Sequence, residues 1–185
     1  PRMKSALKAM GYDESVFKVM LIQFVSLKRG GEKVSMSTRS GEFETLAEVI
    51  KDVGLDATRF FFLMRSSDTH LDFDLELAKK ESADNPVFYI QYAHARICSI
   101  FRKATENGIK LLDSADIDLS PLKNEEEFIM IKKILSFGET IEKSAELLEV
   151  HRIAFYLQDL VGTFHRYYSR NRIVSDDHAL SSARL

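Results

Sequence analysis

The order of apolar and polar residues changes along the chain, and its first 80 residues are predicted to mix short strands with helices. Apolar positions recur at helical spacing over residues 3–10, and Gly11 is a suitable end for that helix. The apolar run FKVMLIQFV, residues 17–25, predicts one buried strand. Residues 34–36 are predicted to form a second short strand or an extended loop.

Two helix starts follow, each marked by a side chain that can accept hydrogen bonds from free backbone N–H groups. Thr45 precedes LAEVIKDVG, and Glu48 lies three residues later, which is the spacing of a capping box. Gly54 is predicted to end this helix. Asp56 is predicted to cap the next helix, ATRFFFLMRS.

Residues 85–185 have the pattern of long amphipathic helices joined by short connections. Pro86 after Asn85 suits the first turn of a long helix. One face of that helix is predicted to hold Val87, Ile90, His94, Ile97, Phe101 and Ala104. Two helices are predicted over residues 124–150, and another begins at His151. The pattern indicates an antiparallel helical bundle.

The predicted fold class is therefore mainly α, with a small α/β unit ahead of a helical bundle. The boundary is predicted near residues 80–86, where strand patterns stop and long helices begin. Three segments result: residues 1–44, a connecting helical segment over residues 45–84, and the bundle over residues 85–185.

Composition excludes some classes of function. Twenty-six Lys and Arg residues against 28 Asp and Glu residues give a net charge of -2, so binding to a polyanion would need a local basic patch. The one cysteine, Cys98, cannot form an internal disulfide or a zinc cluster, and helix packing is its expected role. No stretch has the ~18 apolar residues of a membrane-spanning helix, and no signal-peptide pattern is present, so a cytoplasmic location is expected.

The loop over residues 33–41 is the first candidate for chemistry. Its hydroxyl residues and glycine let backbone N–H groups approach an anion, and flanking cations can meet the charge of that anion. These cations are Lys28, Arg29, Lys33 and Arg39. Such residues are also common in connecting loops, so a structural role is the alternative.

The helix that begins at His151 is the second candidate. Its apolar stripe holds Ile153, Leu157, Leu160, Val161 and Phe164, and a neighbouring face holds Arg152, Tyr156, Thr163, Tyr167 and Arg170, with Arg166 at the edge. Arginine can meet the phosphates of unpaired RNA, and tyrosine can stack on a base, which contributes roughly 1 to 3 kcal/mol. The alternative is that the tyrosines are half-buried packing residues and the arginines are solvated.

No metal site is predicted. His94, His151 and His165 do not recur at metal-ligand spacing and are expected to lie in the core or at its boundary. Residues 72–74, Asp-Phe-Asp, lack the glycine turn and the distal glutamate of a calcium loop. Their carboxylates are expected to cap a helix or to face solvent.

Several stretches in a fixed order resemble the bacterial type of arginyl-tRNA synthetase. They are SMSTRSG (35–41), VGLDATRFFFLMRSSDTHLDFD (53–74) and NPVFYIQYAHARI (85–97). HRIAFYLQDLVGTFHRYYSRNRI, residues 151–173, is similar to the anticodon-binding helical domain of that family, and PRMKSALKAMGYD, residues 1–13, resembles the end of its catalytic domain. The resemblance implies that the small α/β unit is a remnant of a Rossmann catalytic domain.

The resemblance places SMSTR, residues 35–39, where class I synthetases carry the KMSKS signature, whose loop stabilises the phosphates of ATP. Ser35 and Thr38 replace the two lysines of the signature, so Lys33 or Arg39 is expected to supply the missing positive charge. The implied ATP-binding residues are Ser35, Met36, Ser37, Thr38 and Arg39, and the implied catalytic residues are Lys33, Met36, Ser37 and Arg39.

By resemblance, the chain is expected to be a C-terminal fragment of an enzyme that activates arginine with ATP and Mg²⁺ and transfers it to arginine tRNA. Both steps rely on positioning and charge stabilisation, so neither needs a protein nucleophile. The family's HIGH motif is absent, so the fragment is expected to be inactive alone. A monomer without membrane or DNA partners is expected. The tRNA-binding candidates are Arg152, Tyr156, Arg166, Tyr167 and Arg170.

Two alternatives stay open. The chain can be a noncatalytic helical module, derived from a synthetase, that binds a protein or tRNA. A salt-dependent affinity for tRNA would favour the synthetase interpretation. The other alternative is a different class I synthetase such as the cysteinyl enzyme, which usually binds zinc through cysteines, whereas this chain has only Cys98.

Overall fold

The computed structural model describes residues 2–34, 44–110 and 116–185, in which helices predominate. The helices are α1 (Arg2–Ala9), α2 (Leu46–Val53), α3 (Leu55–Leu63), α4 (Leu75–Lys79), α5 (Pro86–Glu106), α6 (Glu125–Leu135), α7 (Phe137–Leu147), α8 (His151–Arg170) and α9 (His178–Arg184). The strands are β1 (Val25–Arg29), β2 (Glu32–Lys33) and β3 (Leu71–Asp74), and a 3₁₀ turn spans Glu14–Val16. The predicted fold class is confirmed. Within these ranges, no helix combines the length and apolar character needed to cross a bilayer.

The three strands form one sheet with the order β2-β1-β3. β1 pairs antiparallel with β2 and parallel with β3, so that Leu27 lies opposite Phe73. A parallel pair needs a crossover connection, and α2 and α3 supply it. One hydrophobic cluster joins the sheet to the helices around it and contains Leu27, Val49, Ala57, Phe61, Leu71, Phe73, Leu75, Ala78 and Val87.

The apolar run ahead of β1 is not the buried strand that its hydrophobicity predicts. The strand begins only at Val25, and Leu27 within it is buried. Leu21, Ile22 and Phe24 are 80%, 78% and 85% exposed. An apolar run is buried only where another element covers it, and the described elements leave these side chains largely uncovered.

The start of α2 confirms the predicted capping box. Thr45 accepts a hydrogen bond from the Glu48 backbone N–H at 3.2 Å, and the Glu48 carboxylate accepts one from the Thr45 N–H at 2.7 Å. Gly54 ends α2 as predicted. The predicted cap at Asp56 is wrong, because α3 begins at Leu55 directly after Gly54 and Asp56 already lies in its first turn.

Asn85 joins the end of α4 to the start of α5. Its Oδ1 accepts hydrogen bonds from the N–H groups of Val87 at 3.0 Å and Phe88 at 3.5 Å. Its Nδ2 donates to the carbonyls of Ala78 at 3.0 Å and Lys80 at 2.9 Å. Asn85 is buried, and its bonds with Val87 and Ala78 are shielded from competing water.

Asn85→Ala is expected to lower the free energy of unfolding by about 2 kcal/mol, because it removes a helix cap and leaves two carbonyls without their donor. Asn85→Ser is the matched variant, since its hydroxyl can still cap α5 but cannot reach both carbonyls. We expect Asn85→Ser to lower the free energy of unfolding by about half as much as Asn85→Ala does. Urea unfolding followed by circular dichroism measures both. Equal losses would contradict the capping role.

α6 and α8 run antiparallel, as the predicted bundle requires. Arg170 at the end of α8 donates to Glu126 at the start of α6, over 2.7 Å. Near the other ends of both helices, the Tyr156 hydroxyl donates to the Lys133 carbonyl over 3.0 Å. The order of these contacts is reversed along the two helices, which fixes their relative direction.

α5 and α8 run in the same direction. The sequence predicted an antiparallel bundle and gave no sign of this parallel pair. Tyr89 contacts His165 early in this pairing, with 4.6 Å between ring centroids. Seven residues further along α5 and three further along α8, the Arg96 guanidinium lies 4.7 Å from the ring centroid of Tyr168. Residues near the start of α5 therefore meet the second half of α8.

The buried face of α5 is rotated from the face that spacing alone predicts. Val87 and Ala104 are buried as predicted, but Ala93 and Ile100 are buried with them. His94 and Phe101, which were predicted to share that face, are exposed. The rotation turns other residues of α5 towards α8, and these residues form the site described next.

Candidate nucleic-acid interface

The three arginines predicted to contact RNA lie on the exposed side of α8. Arg152 pairs with Glu149 over 2.5 Å, and Arg170 pairs with Glu126 over 2.7 Å. Arg166 is exposed and has no ion pair among the residues that the structure describes. All three guanidinium groups are therefore near solvent, although two already share their charge with a carboxylate.

Tyr156 and Tyr167 pack inside the bundle, and each is only 7% exposed. The Tyr156 ring lies against Phe137, with 5.2 Å between centroids. Tyr167 belongs to a hydrophobic cluster with Ile100 and Ala104 of α5, and burial raises the pKa of its hydroxyl. Neither ring offers a face to a base in this structure. The alternative interpretation, that both tyrosines are packing residues, fits their burial.

A different group of aromatic and cationic side chains forms a cleft of about 310 Å³ between α5 and α8. We call it the aromatic cleft, and it is lined by Ala83, Phe88, Tyr89, Tyr92, Arg96 and His165. The His165 ring centroid lies 5.7 Å from that of Tyr92, and the Arg96 guanidinium lies 4.6 Å from the Tyr92 ring centroid. Tyr92 is 45% exposed, so part of its side chain reaches solvent, although Phe88 and Arg96 also lie against its ring.

Burial lowers the pKa of His165, and the Arg96 guanidinium lowers it further, so the imidazole is neutral at neutral pH. Nδ1 of His165 lies 3.5 Å from an Arg96 nitrogen and can accept its hydrogen bond. Nε2 is buried and has no hydrogen-bond partner of acceptable geometry among the described residues. The cleft thus combines neutral flat rings with one cationic edge.

The aromatic cleft follows from helix periodicity. Tyr89, Tyr92 and Arg96 lie at positions i, i+3 and i+7 of α5 and therefore share one face. Arg96 is held between the rings of Tyr92 and Tyr168, so its guanidinium is fixed by contacts on two sides. This spacing is visible in the sequence, but only the direction of α8 beside α5 brings His165 into the same site.

The predicted phosphate loop falls almost wholly outside the described residues. Of its candidates, only Lys33 is described, and it lies exposed on β2 opposite Lys28. Lys28 pairs with Asp72 over 2.7 Å and Arg29 pairs with Glu44 over 2.6 Å, whereas Lys33 has no ion pair within the described ranges. The candidates outside these ranges are Ser35, Met36, Ser37, Thr38 and Arg39.

The acidic residues of β3 have structural roles. Asp74 caps α4 by accepting hydrogen bonds from the N–H groups of Glu76 and Leu77, and Asp72 pairs with Lys28. This confirms the capping role expected for residues 72–74. In the part of the chain that the structure describes, no group of three or more His, Cys, Asp or Glu side chains is placed to hold a metal ion.

The chain is a small α/β unit followed by a helical bundle, with the aromatic cleft between α5 and α8. Residues 90–185 match the model of the DALR anticodon binding domain, and the chain belongs to that family. The matched region contains α8 and all of α5 except its first turn, and so it contains Tyr92, Arg96 and His165 of the aromatic cleft.

The whole chain is also similar to arginine–tRNA ligases. It is 50% identical over 185 residues to that of Syntrophotalea carbinolica and 52% identical over 187 residues to that of Geobacter sp. strain M21. Each match covers 100% of this chain and 33% of the relative, so the chain spans about a third of the length of these relatives. The resemblance to bacterial-type arginyl-tRNA synthetases is confirmed.

Solved structures show the same likeness in three dimensions. A structure described as an arginyl-tRNA synthetase of Campylobacter jejuni matches with a TM-score of 0.85 and 33% identity, over 100% of this chain and 39% of that one. The arginyl-tRNA synthetase of Thermus thermophilus matches with a TM-score of 0.60 and 27% identity, over 80% of this chain and 25% of that one. The α/β unit and the bundle occur together in the first of these matches.

Proposed function

We propose that the chain is part of an arginine–tRNA ligase and that its helical bundle binds the anticodon arm of arginine tRNA. Family membership of residues 90–185 and the names of the relatives support this proposal. The observation that carries it is the aromatic cleft, because accessible rings beside a guanidinium are what an unpaired base needs for stacking and edge contacts.

Within the cleft, each side chain has a separate task in the proposed complex. The half-exposed Tyr92 ring stacks on an unpaired base, while His165 and Tyr89 form the wall behind it. Arg96 donates to the base edge or to its phosphate from a fixed position. The exposed Arg152, Arg166 and Arg170 of α8 are proposed to contact the RNA backbone outside the cleft.

The catalytic half of the proposal concerns the loop at residues 35–39. Lys33 or Arg39 is proposed to neutralise the ATP phosphates while the arginine carboxylate attacks the α-phosphate and pyrophosphate leaves. ATP with Mg²⁺, arginine, a cytoplasmic setting and a monomeric enzyme belong to the same proposal, and the names of the relatives support the use of arginine and ATP. The chain alone is proposed to bind tRNA without activating arginine.

Tyr92→Ala is expected to weaken binding of arginine tRNA to this chain about tenfold. Base stacking on an aromatic ring contributes roughly 1 to 3 kcal/mol, and about 1.4 kcal/mol corresponds to a factor of ten. Fluorescence anisotropy with labelled arginine tRNA and with a tRNA of another identity measures the effect. Tyr92→Phe retains the ring and is expected to bind nearly as the unaltered chain does.

Phe101→Ala is the matched control for this experiment. Phe101 is an aromatic residue of the same helix, is 36% exposed and does not line the aromatic cleft. Phe101→Ala should leave the dissociation constant for arginine tRNA unchanged. A loss as large as that of Tyr92→Ala would contradict the stacking role. Salt-insensitive or absent tRNA binding by the unaltered chain would instead favour the protein-interaction alternative.

A further inference from the structure

A second cleft, of about 380 Å³, lies beside the aromatic cleft at the end of α8. We call it the basic cleft, and it is lined by Ser99, Ile100, Lys103 and residues 168–174. The hydroxyls of Ser99 and Ser169 and the guanidinium of Arg172 make its lining polar. No residue of the basic cleft was a candidate in the sequence except Arg170.

Two cations of the basic cleft are available to an anion. Lys103 and Arg172 are exposed, and neither forms an ion pair with a carboxylate within the residues that the structure describes. Arg170 differs, because its guanidinium already forms an ion pair with the Glu126 carboxylate at 2.7 Å. The Arg172 Nε donates to the Val174 carbonyl at 3.0 Å, which limits the positions that its guanidinium can adopt.

The two clefts are continuous along α5. Five lining residues of α5 follow each other at steps of three, four, three and four residues. They are Tyr89, Tyr92 and Arg96 of the aromatic cleft, then Ser99 and Lys103 of the basic cleft. These steps keep all five on one face of the helix. Eleven residues separate Lys103 from Tyr92, which corresponds to roughly 16 Å along the axis at about 1.5 Å per residue.

Tyr168 and Arg96 join the clefts. Tyr168 lines the basic cleft, and its ring centroid lies 4.7 Å from the Arg96 guanidinium of the aromatic cleft. The two clefts therefore meet at Tyr168 and Arg96. Flat groups suit the aromatic cleft, and anionic groups suit the basic cleft.

We propose that the basic cleft binds phosphate groups of the same RNA strand whose base stacks in the aromatic cleft, through Lys103 and Arg172. The inference rests on the proposed function. An RNA strand carries bases and phosphates on one backbone. The adjacent aromatic and basic clefts can therefore bind a base and a phosphate of the same strand. Phosphate contacts position the strand and carry no sequence information, so the effect of this cleft is independent of tRNA identity.

Neutralising the two cations tests the inference through the salt dependence of binding. For single-stranded nucleic acid, each lost phosphate contact reduces the slope of log affinity against log salt by about 0.7. Lys103→Gln is expected to reduce the slope by about 0.7, and Lys103→Gln with Arg172→Gln by about 1.4. The ratio of affinities for arginine tRNA and another tRNA should stay unchanged. Anisotropy titrations of this chain at four potassium chloride concentrations give these values.

Two control variants separate local contacts from general charge. Arg102→Gln removes the same charge from the neighbouring, exposed position of α5, which lines neither cleft, and should leave the slope unchanged. Tyr92→Ala should weaken binding while leaving the slope unchanged, because stacking releases no counterions. Lys103 is exposed, so Lys103→Gln tests the inference even if the double variant folds poorly.

The outcomes distinguish the inference from the function on which it rests. An unchanged slope in Lys103→Gln and in the double variant overturns the inference, and the proposed function stands if Tyr92→Ala still weakens binding. A slope reduced equally by Arg102→Gln also overturns it, because the effect is then not confined to the cleft. If Tyr92→Ala binds tRNA as tightly as the unaltered chain, the proposed function fails and the inference falls with it.

Discussion

Phe73→Ala is expected to lower the free energy of unfolding by about 4 kcal/mol, the largest loss that we predict for a single substitution. Phe73 lies on β3 and is 0% exposed. Its ring centroid lies 5.4 Å from that of Phe61 and 5.6 Å from that of Phe62, so β3 and α3 meet at this side chain. Alanine would leave a cavity that the neighbouring strand β1 cannot fill, because its position is fixed by pairing with β3.

Urea unfolding monitored by circular dichroism measures this loss. Phe128→Ala is the matched control, because Phe128 of α6 is 48% exposed and its truncation opens no enclosed cavity. Its free energy of unfolding should change by about 0.5 kcal/mol or less. Similar losses in the two variants would show that the burial of Phe73 is not the cause. Phe73→Leu retains most of the side-chain volume, so its free energy of unfolding should lie between those of the unaltered chain and Phe73→Ala.

Elements defined by local signals were predicted well from the sequence. The capping box of Thr45 and Glu48 and the Asn85-Pro86 start of α5 depend on residues within one helical turn, so neighbours in sequence are enough to define them. The exposed run before β1 shows the opposite case. Its apolar character is clear, but burial depends on which other element covers it, and periodicity contains no information on that.

The site could be predicted only in part for the same reason. Arginines and tyrosines of α8 were expected on one outward face, yet Tyr156 and Tyr167 turn towards α6 and α5 and are buried. The aromatic cleft combines four positions of α5 with His165, and this needs α5 and α8 to run in the same direction. Helical spacing gives the face of each helix, but only the tertiary structure shows which faces meet.

The ion pair between α9 and α6 is expected to have the second largest effect. The Arg184 Nε lies 2.7 Å from Glu127 Oε1, and an Arg184 Nη donates to the Arg172 carbonyl at 2.8 Å. The side chains of Glu127 and Arg184 are only 3% and 12% exposed. Arg184→Ala leaves the Glu127 carboxylate buried without its cation, so the free energy of unfolding should fall by about 3 kcal/mol.

A double variant separates the lost contact from the unpaired charge. Glu127→Gln in the Arg184→Ala background replaces the carboxylate by a neutral amide of the same shape, so it should recover part of the loss. Urea unfolding at neutral pH gives the coupling energy between the two positions. If the double variant is no more stable than Arg184→Ala, the unpaired charge is not the source of the loss.

Acidification tests the same pair independently. Burial by itself raises the pKa of Glu127, but the hydrogen bond from the Asn124 backbone and the Arg184 guanidinium outweigh it and hold the pKa below its usual 4.5. A carboxyl whose pKa is lower in the folded state contributes stability above its unfolded pKa and loses it as the pH falls through the folded value. The stability advantage of the unaltered chain over Glu127→Gln should therefore be constant from neutral pH down to about pH 5 and shrink below it. An advantage that stays the same down to about pH 3 would show that Glu127 is not stabilised by its charge, and Arg184 would then hold α9 through the Arg172 carbonyl alone.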